Sequence, residues 1–149
     1  MAFLIEKTDA QWKAELAANP EAEPLAYPVT RKAATERAFT GQYESCKLPG
    51  VYRCICCDHA LFEADDKYES GSGWPSFFAP ISEQALGTDT DFHLGYPRSE
   101  IHCSQCGAHI GHVFPDGPAT TGLRYCCNSA SLRLQRSHAP SAVDGAQLG

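Results

Sequence analysis

The chain has 149 residues and a mass of 16.2 kDa, the length of one ordinary domain, and its 43% hydrophobic content argues against gross disorder. A formal charge of −6, a pI near 5.4 and the lack of any basic run weigh against non-specific nucleic-acid binding, which needs Lys and Arg to neutralise phosphates. No apolar run approaches the roughly 20 residues that span a bilayer, and Glu6 interrupts Ala2-Phe3-Leu4-Ile5 too early for a signal core, so neither membrane insertion nor export is indicated.

Thr8-Asp9-Ala10-Gln11 has capping-box form, and Trp12, Leu16 and the neighbouring alanines predict a short amphipathic helix that Pro20 stops. Asn19 to Pro28 holds Pro20, Pro24 and Pro28 and reads as an extended arm. A second short helix is expected from Thr30 to about Glu36. From Gly50 onward the pattern changes to strands and turns. Val51-Tyr52-Arg53 leads into the first cysteine cluster, and Asp91–Leu94 with Ser99–His102 flank the turn-like Gly95-Tyr96-Pro97 as an antiparallel pair. Leu123 to Leu134 is a candidate long strand. The reading is one domain over residues 1–136, with 137–149 a frayed tail that has little to bury.

Eight cysteines without an export signal point to metal ligation or catalysis in a reducing, cytoplasmic setting. A secreted disulfide framework is the rival. Tyr52-Arg53-Cys54-Ile55-Cys56-Cys57-Asp58 and Ile101-His102-Cys103-Ser104-Gln105-Cys106-Gly107 echo each other: a β-like lead-in, a Cys-x-x-Cys, and a residue tolerant of left-handed backbone. Cys54, Cys57, Cys103 and Cys106 therefore form a candidate tetrahedral zinc site. The intervening residues 58–102 make a far longer loop than the roughly 15–20 residues of a compact zinc ribbon, so the metal would clip distant hairpins together. Four thiolates leave no open position, which makes such a site structural. Cys56 in place of Cys57, a dithiol exchanger and buried core cysteines are the competing readings.

Cys126 and Cys127 lie apart from those knuckles. In a strand, Arg124, Cys126 and Asn128 share one face, while Tyr125, Cys127 and Ser129 share the other. Arg124 beside Cys126 favours the thiolate by lowering its pKa, and Cys127 reads as a small hydrophobe in the core. Cys126 is the better candidate nucleophile. His109-Ile110-Gly111-His112-Val113-Phe114 offers two histidines three residues apart, either a site pair, a structural pair or further metal ligands. Gly71-Ser72-Gly73-Trp74-Pro75-Ser76-Phe77-Phe78 is a Gly-rich loop whose Trp either anchors a turn or lines a site.

Taken together these segments resemble the B-type methionine sulfoxide reductases, which act on the R epimer. The resemblance rests on Arg31, Ala34-Thr35-Glu36-Arg37, Phe39-Thr40-Gly41, Cys54-x-x-Cys57, Ser70-Gly71-Ser72-Gly73-Trp74-Pro75-Ser76-Phe77, Cys103-x-x-Cys106, His109-x-Gly111-His112-Val113-Phe114-x-Asp116-Gly117-Pro118, and Arg124-Tyr125-Cys126-x-Asn128-Ser129. These run in order over about residues 27–134. The resemblance implies a mainly β fold of two antiparallel sheets, tent-like, with short N-terminal helices and a structural zinc. It also implies repair of oxidised methionine. On that resemblance Cys126 is expected to attack the sulfoxide sulfur, His109, His112, Asn128 and Arg124 to share the site, and Trp74 and Phe114 to receive the substrate methyl group. The implied partners are oxidised proteins or peptides and thioredoxin or another thiol, with a monomeric chain and no nucleic acid or membrane.

Many members of that family carry a resolving cysteine where this chain has Ser72. Cys46 is the first candidate for an alternative resolver; direct reduction by an external thiol is the other. A zinc-stabilised β-rich binding module is the rival function, and it leaves Cys126 and the two histidines without a role. A zinc deaminase would need a His-x-Glu segment and a Pro-Cys-x-x-Cys, and neither Cys-x-x-Cys here follows a proline.

Overall fold

The computed structural model describes residues 3–137. Helix α1, Asp9–Ala18, starts at the expected capping box: the Thr8 hydroxyl accepts the Gln11 amide, and the Gln11 side chain accepts the Thr8 amide. Its buried residues are Trp12 and Leu16. Helix α2 spans Ala26–Lys32, earlier than the expected Thr30–Glu36. Pro28 does not end an extended arm but sits in the first turn of α2, where its missing N–H would have no intrahelical acceptor anyway. Ala33, left-handed at φ 57°, ends the helix before Glu36 can join it.

Among the described residues nine strands follow: β1 Gly50–Cys54, β2 Ala60–Glu63, β3 Lys67–Tyr68, β4 Ser76–Phe77, β5 Leu86–Asp91, β6 Arg98–Cys103, β7 His109–Phe114, β8 Arg124–Cys127 and β9 Leu132–Arg136. They form a three-stranded sheet, β2-β1-β9, and a six-stranded sheet, β3-β4-β8-β7-β6-β5, with every pairing antiparallel. The mainly β, two-sheet expectation holds. The β5–β6 hairpin is present, but its first strand ends at Asp91, where Asp91–Leu94 was expected to begin one.

The expected long strand from Leu123 to Leu134 is two strands in different sheets, joined by a 3-10 turn at Ser129–Ser131. The break has a local cause. The Ser129 and Ala130 amides, which a strand would offer to a neighbour, both donate to the Glu36 carboxylate at 2.9 and 3.0 Å.

The two sheets meet through aromatic side chains. Tyr52 of β1 pairs in register with Phe62 of β2 and Leu134 of β9, so one row of the small sheet faces inward. Phe62 stacks on Phe77 of β4 with ring centroids 4.2 Å apart, and Tyr52 meets Phe77 edge-on at 5.2 Å. Phe77 is the register partner of Tyr125, which puts Tyr125 on the core face of the large sheet and Cys126 on the opposite one. Of the expected tail, Ser137 donates its amide to Pro49, and residues 138–149 lie outside the described residues. Among the described residues no helix is long and apolar enough to cross a membrane.

Candidate active site

Strand register builds the site. Tyr68, Ser76, Cys126, His112, Glu100 and Asp89 are successive partners across β3, β4, β8, β7, β6 and β5. Cross-strand partners share a face, so one row carries a thiol, an imidazole and two carboxylates. Two residues along, the same face presents Arg124 opposite Phe114, and Asp91 opposite Arg98. Gly111 permits the approach of β7 to β8: a Cβ there would strike the Cys126 carbonyl oxygen.

A cavity of about 110 Å3 opens over this row, lined by Cys126, Asn128, His112, Phe114, Trp74, Thr35 and Arg98 among others. Six of the expected site residues are thus brought together or adjoin: Cys126, His112, Asn128, Trp74 and Phe114 line the cavity, and Arg124 sits over the Phe114 ring at 4.6 Å. His109 lines a wider adjoining groove, its ring 5.5 Å from that of His112. Cys127 is 1% exposed and belongs to the core.

The Cys126 thiol is held above the ordinary cysteine range because burial outweighs the other influences. Arg124 and the Ser72 hydroxyl both pull it down. The sign expected for Arg124 is present, but the net shift is upward. The Arg124 guanidinium is also shared, gripping Asp116 through two bonds of 2.9 and 3.2 Å.

Each histidine has a carboxylate partner that sequence reasoning missed. His112 Nε2 lies 2.8 Å from Asp91, which also accepts from Arg98 at 3.0 Å. Burial lowers the His112 pKa, Asp91 opposes the shift and Arg98 reinforces it. His109 Nδ1 lies 2.8 Å from Glu100, whose other oxygen is 3.1 Å from His102. The available signal was alternation, since Glu100 and His102 fall on one face of the expected second hairpin strand, Ser99–His102.

Glu36 holds the cavity wall together. It is 2% exposed, its carbonyl accepts the Trp74 indole N–H at 3.0 Å, and its amide donates to Asn128 Oδ1 at 3.0 Å. Asn128 Nδ2 donates to the Ile110 carbonyl at 3.2 Å, so both ends of that amide are fixed by backbone. Burial raises the Glu36 pKa against the two amides it accepts.

Cys46 lies elsewhere. Its carbonyl accepts Lys67 Nζ at 2.9 Å, and it packs against the main core. Lys67 is the register partner of Phe77, so this anchor is on the face of the sheet opposite Cys126.

The four knuckle sulfurs of Cys54, Cys57, Cys103 and Cys106 lie within 4.8 Å of one another. Cys54–Cys106 and Cys57–Cys103 separations are 3.7 and 3.5 Å, against about 3.8 Å for the edge of a tetrahedron with metal–sulfur bonds of about 2.3 Å. The knuckles repeat each other bond for bond. Asp58 and Gly107, at φ 71° and 77°, donate to the Cys54 and Cys103 carbonyls. The Cys54 and Cys103 amides donate to His59 and Ala108. Arg31, stacked over Trp12, reaches the Cys106 sulfur at 3.6 Å and its carbonyl at 3.0 Å. Such a set can hold a metal ion, and every one of its donors is a protein sulfur.

These features define a β-rich scaffold with a clustered four-cysteine site and a separate half-buried thiol, and the family model described as the SelR domain matches residues 22–136. The peptide methionine sulfoxide reductase MsrB of Variovorax paradoxus (strain S110) is 55% identical over 132 residues, covering 89% of this chain and 96% of that protein. The MsrB of Pseudomonas paraeruginosa (strain DSM 24068 / PA7) is 51% identical over 130 residues, 87% and 94% of the two chains. That of Saccharophagus degradans (strain 2-40 / ATCC 43961 / DSM 17024) is 50% identical over 139 residues, 93% and 99%. The chain belongs to this family, the B-type methionine sulfoxide reductases.

Proposed function

We propose that the chain is a peptide-methionine (R)-S-oxide reductase in which Cys126 is the nucleophile. The observation that carries this reading is the register pairing of Cys126 with His112 beneath one cavity walled by Trp74 and Phe114. Cys126 sulfur attacks the sulfoxide sulfur, and protonated His112 gives a proton to the oxygen. The oxygen passes to Cys126: the substrate sulfur gains two electrons and leaves as methionine, and Cys126 becomes a sulfenic acid. His109, paired with Glu100, supports the same proton supply from the adjoining groove. Arg124 and Ser72 favour the thiolate during attack. Asn128 positions the strand end that carries Cys126.

Trp74 and Phe114 receive the substrate methyl. Exchanging methyl and oxygen would press a polar oxygen on aromatic faces, which selects the R epimer. Peptide-bound methionine-R-sulfoxide is the substrate, and the free amino acid a further one.

Recycling takes two thiols, which leave as a disulfide while the sulfenic oxygen departs as water. Thioredoxin or another external thiol suits this chain, because Cys46 is anchored on the far face of the sheet. Resolution by Cys46 would need the segment around it to pass the β3 edge. The four-cysteine site takes zinc and is structural, since four protein sulfurs within 4.8 Å of one another would fill every position of a tetrahedral ion. All eight cysteines are free, which suits a reducing, cytoplasmic setting, and a monomer accounts for every element of the site.

The test is to supply each sulfoxide epimer separately with dithiothreitol and then with a thioredoxin system. Wild type should reduce the R epimer only, and Cys126→Ser should reduce neither. Undiminished turnover by Cys126→Ser would favour a binding module. Peptide mapping of the oxidised enzyme should show no Cys46–Cys126 disulfide, whereas finding that bridge would restore Cys46 as the resolver.

A further inference from the structure

Consecutive residues of β6 present metal-ligating atoms on both faces of the large sheet. Cys103 is buried among the knuckle sulfurs, whereas its neighbour His102 lies on the outer face, in register with Gly87 of β5. There His102 Nδ1 is 3.1 Å from Glu100 Oε1 and 3.7 Å from Asp89 Oδ2. The three ligand atoms all lie within 4.8 Å of one another. A tetrahedron with metal–nitrogen and metal–oxygen bonds of about 2.1 Å has an edge of about 3.4 Å, so the two histidine separations fall on either side of what one ion requires.

Packing aims the His102 ring at the two carboxylates. Gly87 gives the ring room, because a Cβ there would strike its Nε2. Phe3 meets the ring edge-on with centroids 5.7 Å apart, and Phe3 in turn covers the bare Cα of Gly107. The side chains of His102 and Glu100 are thus only 14% and 17% exposed. Side chains locked by packing lose little rotamer freedom on taking a ligand. Asp89, at 78% exposure, is free to swing in and close the set.

Charge points the same way. Asp89 and Glu100 are register partners, and like charges directly opposite each other destabilise a sheet. Arg98, two residues before Glu100 on the same face, is committed to Asp91 at 3.0 Å. The facing pair is met by imidazoles instead: His102, and His109 with its Nδ1 2.8 Å from Glu100 Oε2. A divalent cation between Asp89 and Glu100 would turn their repulsion into attraction. Glu100 can take part without leaving His109, because Oε1 faces His102 while Oε2 faces His109. Outer hydrogen bonds of that kind orient metal ligands.

We propose that Asp89, Glu100 and His102 form a second metal site, which takes a divalent first-row transition ion on the outer face of the β5–β6 hairpin. An imidazole beside two carboxylates selects that class over magnesium and calcium, which prefer oxygen ligands. Three protein ligands leave a position to water, so this ion exchanges with solution where the four-sulfur site is closed. The donor sets differ as well: soft thiolates keep zinc in the knuckles, while the nitrogen–oxygen set accepts nickel. Binding here requires nothing of Cys126.

The experiment uses the full chain with zinc in its knuckles, dialysed free of loosely held ions. Nickel chloride is titrated in by calorimetry, and the zinc that stays with the protein is followed by elemental analysis. Wild type should bind one nickel ion in the micromolar range, keep its zinc, and lose the His102 ring signals from the NMR spectrum to paramagnetic broadening. Asp89→Asn, an exposed substitution, and His102→Gln should each weaken nickel binding at least about tenfold. Cys126→Ser should bind nickel as wild type does, and magnesium at the same concentration should give no binding heat. Nickel taken up only as zinc leaves would overturn the proposal, because the knuckles would then be its site. Undiminished binding by Asp89→Asn, loss of binding in Cys126→Ser, or magnesium bound as tightly as nickel would overturn it too.

Discussion

Cys126 and His112 face each other as register partners between β8 and β7, on the side of the sheet away from the core. The adjacent Cys127 points the other way and is 1% exposed. The two cysteines should therefore respond to substitution in opposite ways. Cys126→Ser should lose at least about a thousandfold in kcat/KM with little change in melting temperature. Cys127→Ala should keep its activity within a few-fold and lose about 1–2 kcal/mol of stability to the small cavity it leaves. Activity assays beside urea unfolding separate the two, and loss of turnover confined to Cys127→Ala would reverse the assignment.

The pKa of His112 is set by four influences of known sign, one of them the neighbouring His109, which lowers it. Burial holds it below the ordinary imidazole value, Asp91 pulls it up, and Arg98 pushes it down. Asp91→Asn should lower it further, moving the alkaline limb of the pH–rate profile to lower pH. Arg98→Met removes a cation and should raise it. NMR titration of the His112 ring in both variants reads the shifts directly; movement in one common direction would show that geometry, not charge, governs this group.

Asp91 itself has a pKa depressed to about 2, first by the His93 amide and then by His112. A folded-state pKa below the unfolded one stabilises the protein at pH values above the unfolded value of about 3.8, and that contribution fades as pH falls through about 2. Wild type should lose stability over that acid window more steeply than Asp91→Asn, as acid titration followed by circular dichroism would show.

Glu36 is the covalently remote residue on which the site most depends. Its carboxylate takes the Ser129 and Ala130 amides, and its own backbone takes Trp74 and Asn128. Glu36→Ala leaves two buried N–H groups unpaired and should cost about 3 kcal/mol or more. Glu36→Gln can accept only one of the two amides and turns a donor toward the other, so it should recover only part of that loss. Full recovery by Gln in denaturant titrations would mean that the second amide finds another partner.

Metal removal should act on the whole fold. The knuckles join β1–β2 to β6–β7, elements from different sheets, so the ion would bridge both. Cys106→Ser should bind less than one equivalent of zinc by elemental analysis and melt far below wild type, because binding energy at such sites is folding energy on the order of 10–16 kcal/mol. Cys56→Ser should retain one equivalent. Loss of zinc in Cys56→Ser but not in a Cys57→Ser variant would exchange their roles.

Local chemistry made part of this legible without coordinates. The capping box at Thr8, the two knuckles with Asp58 and Gly107, and the placement of Cys126 and Cys127 on opposite faces of a strand each depend on residues within a few positions of one another. Backbone sterics and strand alternation act over that range, so the expected and observed features agree. The start of α2 was misplaced because Pro28 serves equally as a helix breaker and as a first-turn residue, and only the following turn decides which.

What the sequence determined by itself is the inventory: which cysteines pair as knuckles, which thiol faces away from the core, and which family the ordered motifs belong to. Tertiary structure alone decided the partners. Asp91 and Glu100 reach the histidines from other strands, Glu36 closes the turn after Cys126 from some 90 residues away in the chain, and Ser72 with Arg124 is outweighed by burial at the thiol. Hydrogen bonds and desolvation depend on distance in space. That distance is set by the register of β5 through β8 and the packing of the 33–38 segment over them, neither of which is written in any single stretch of the chain.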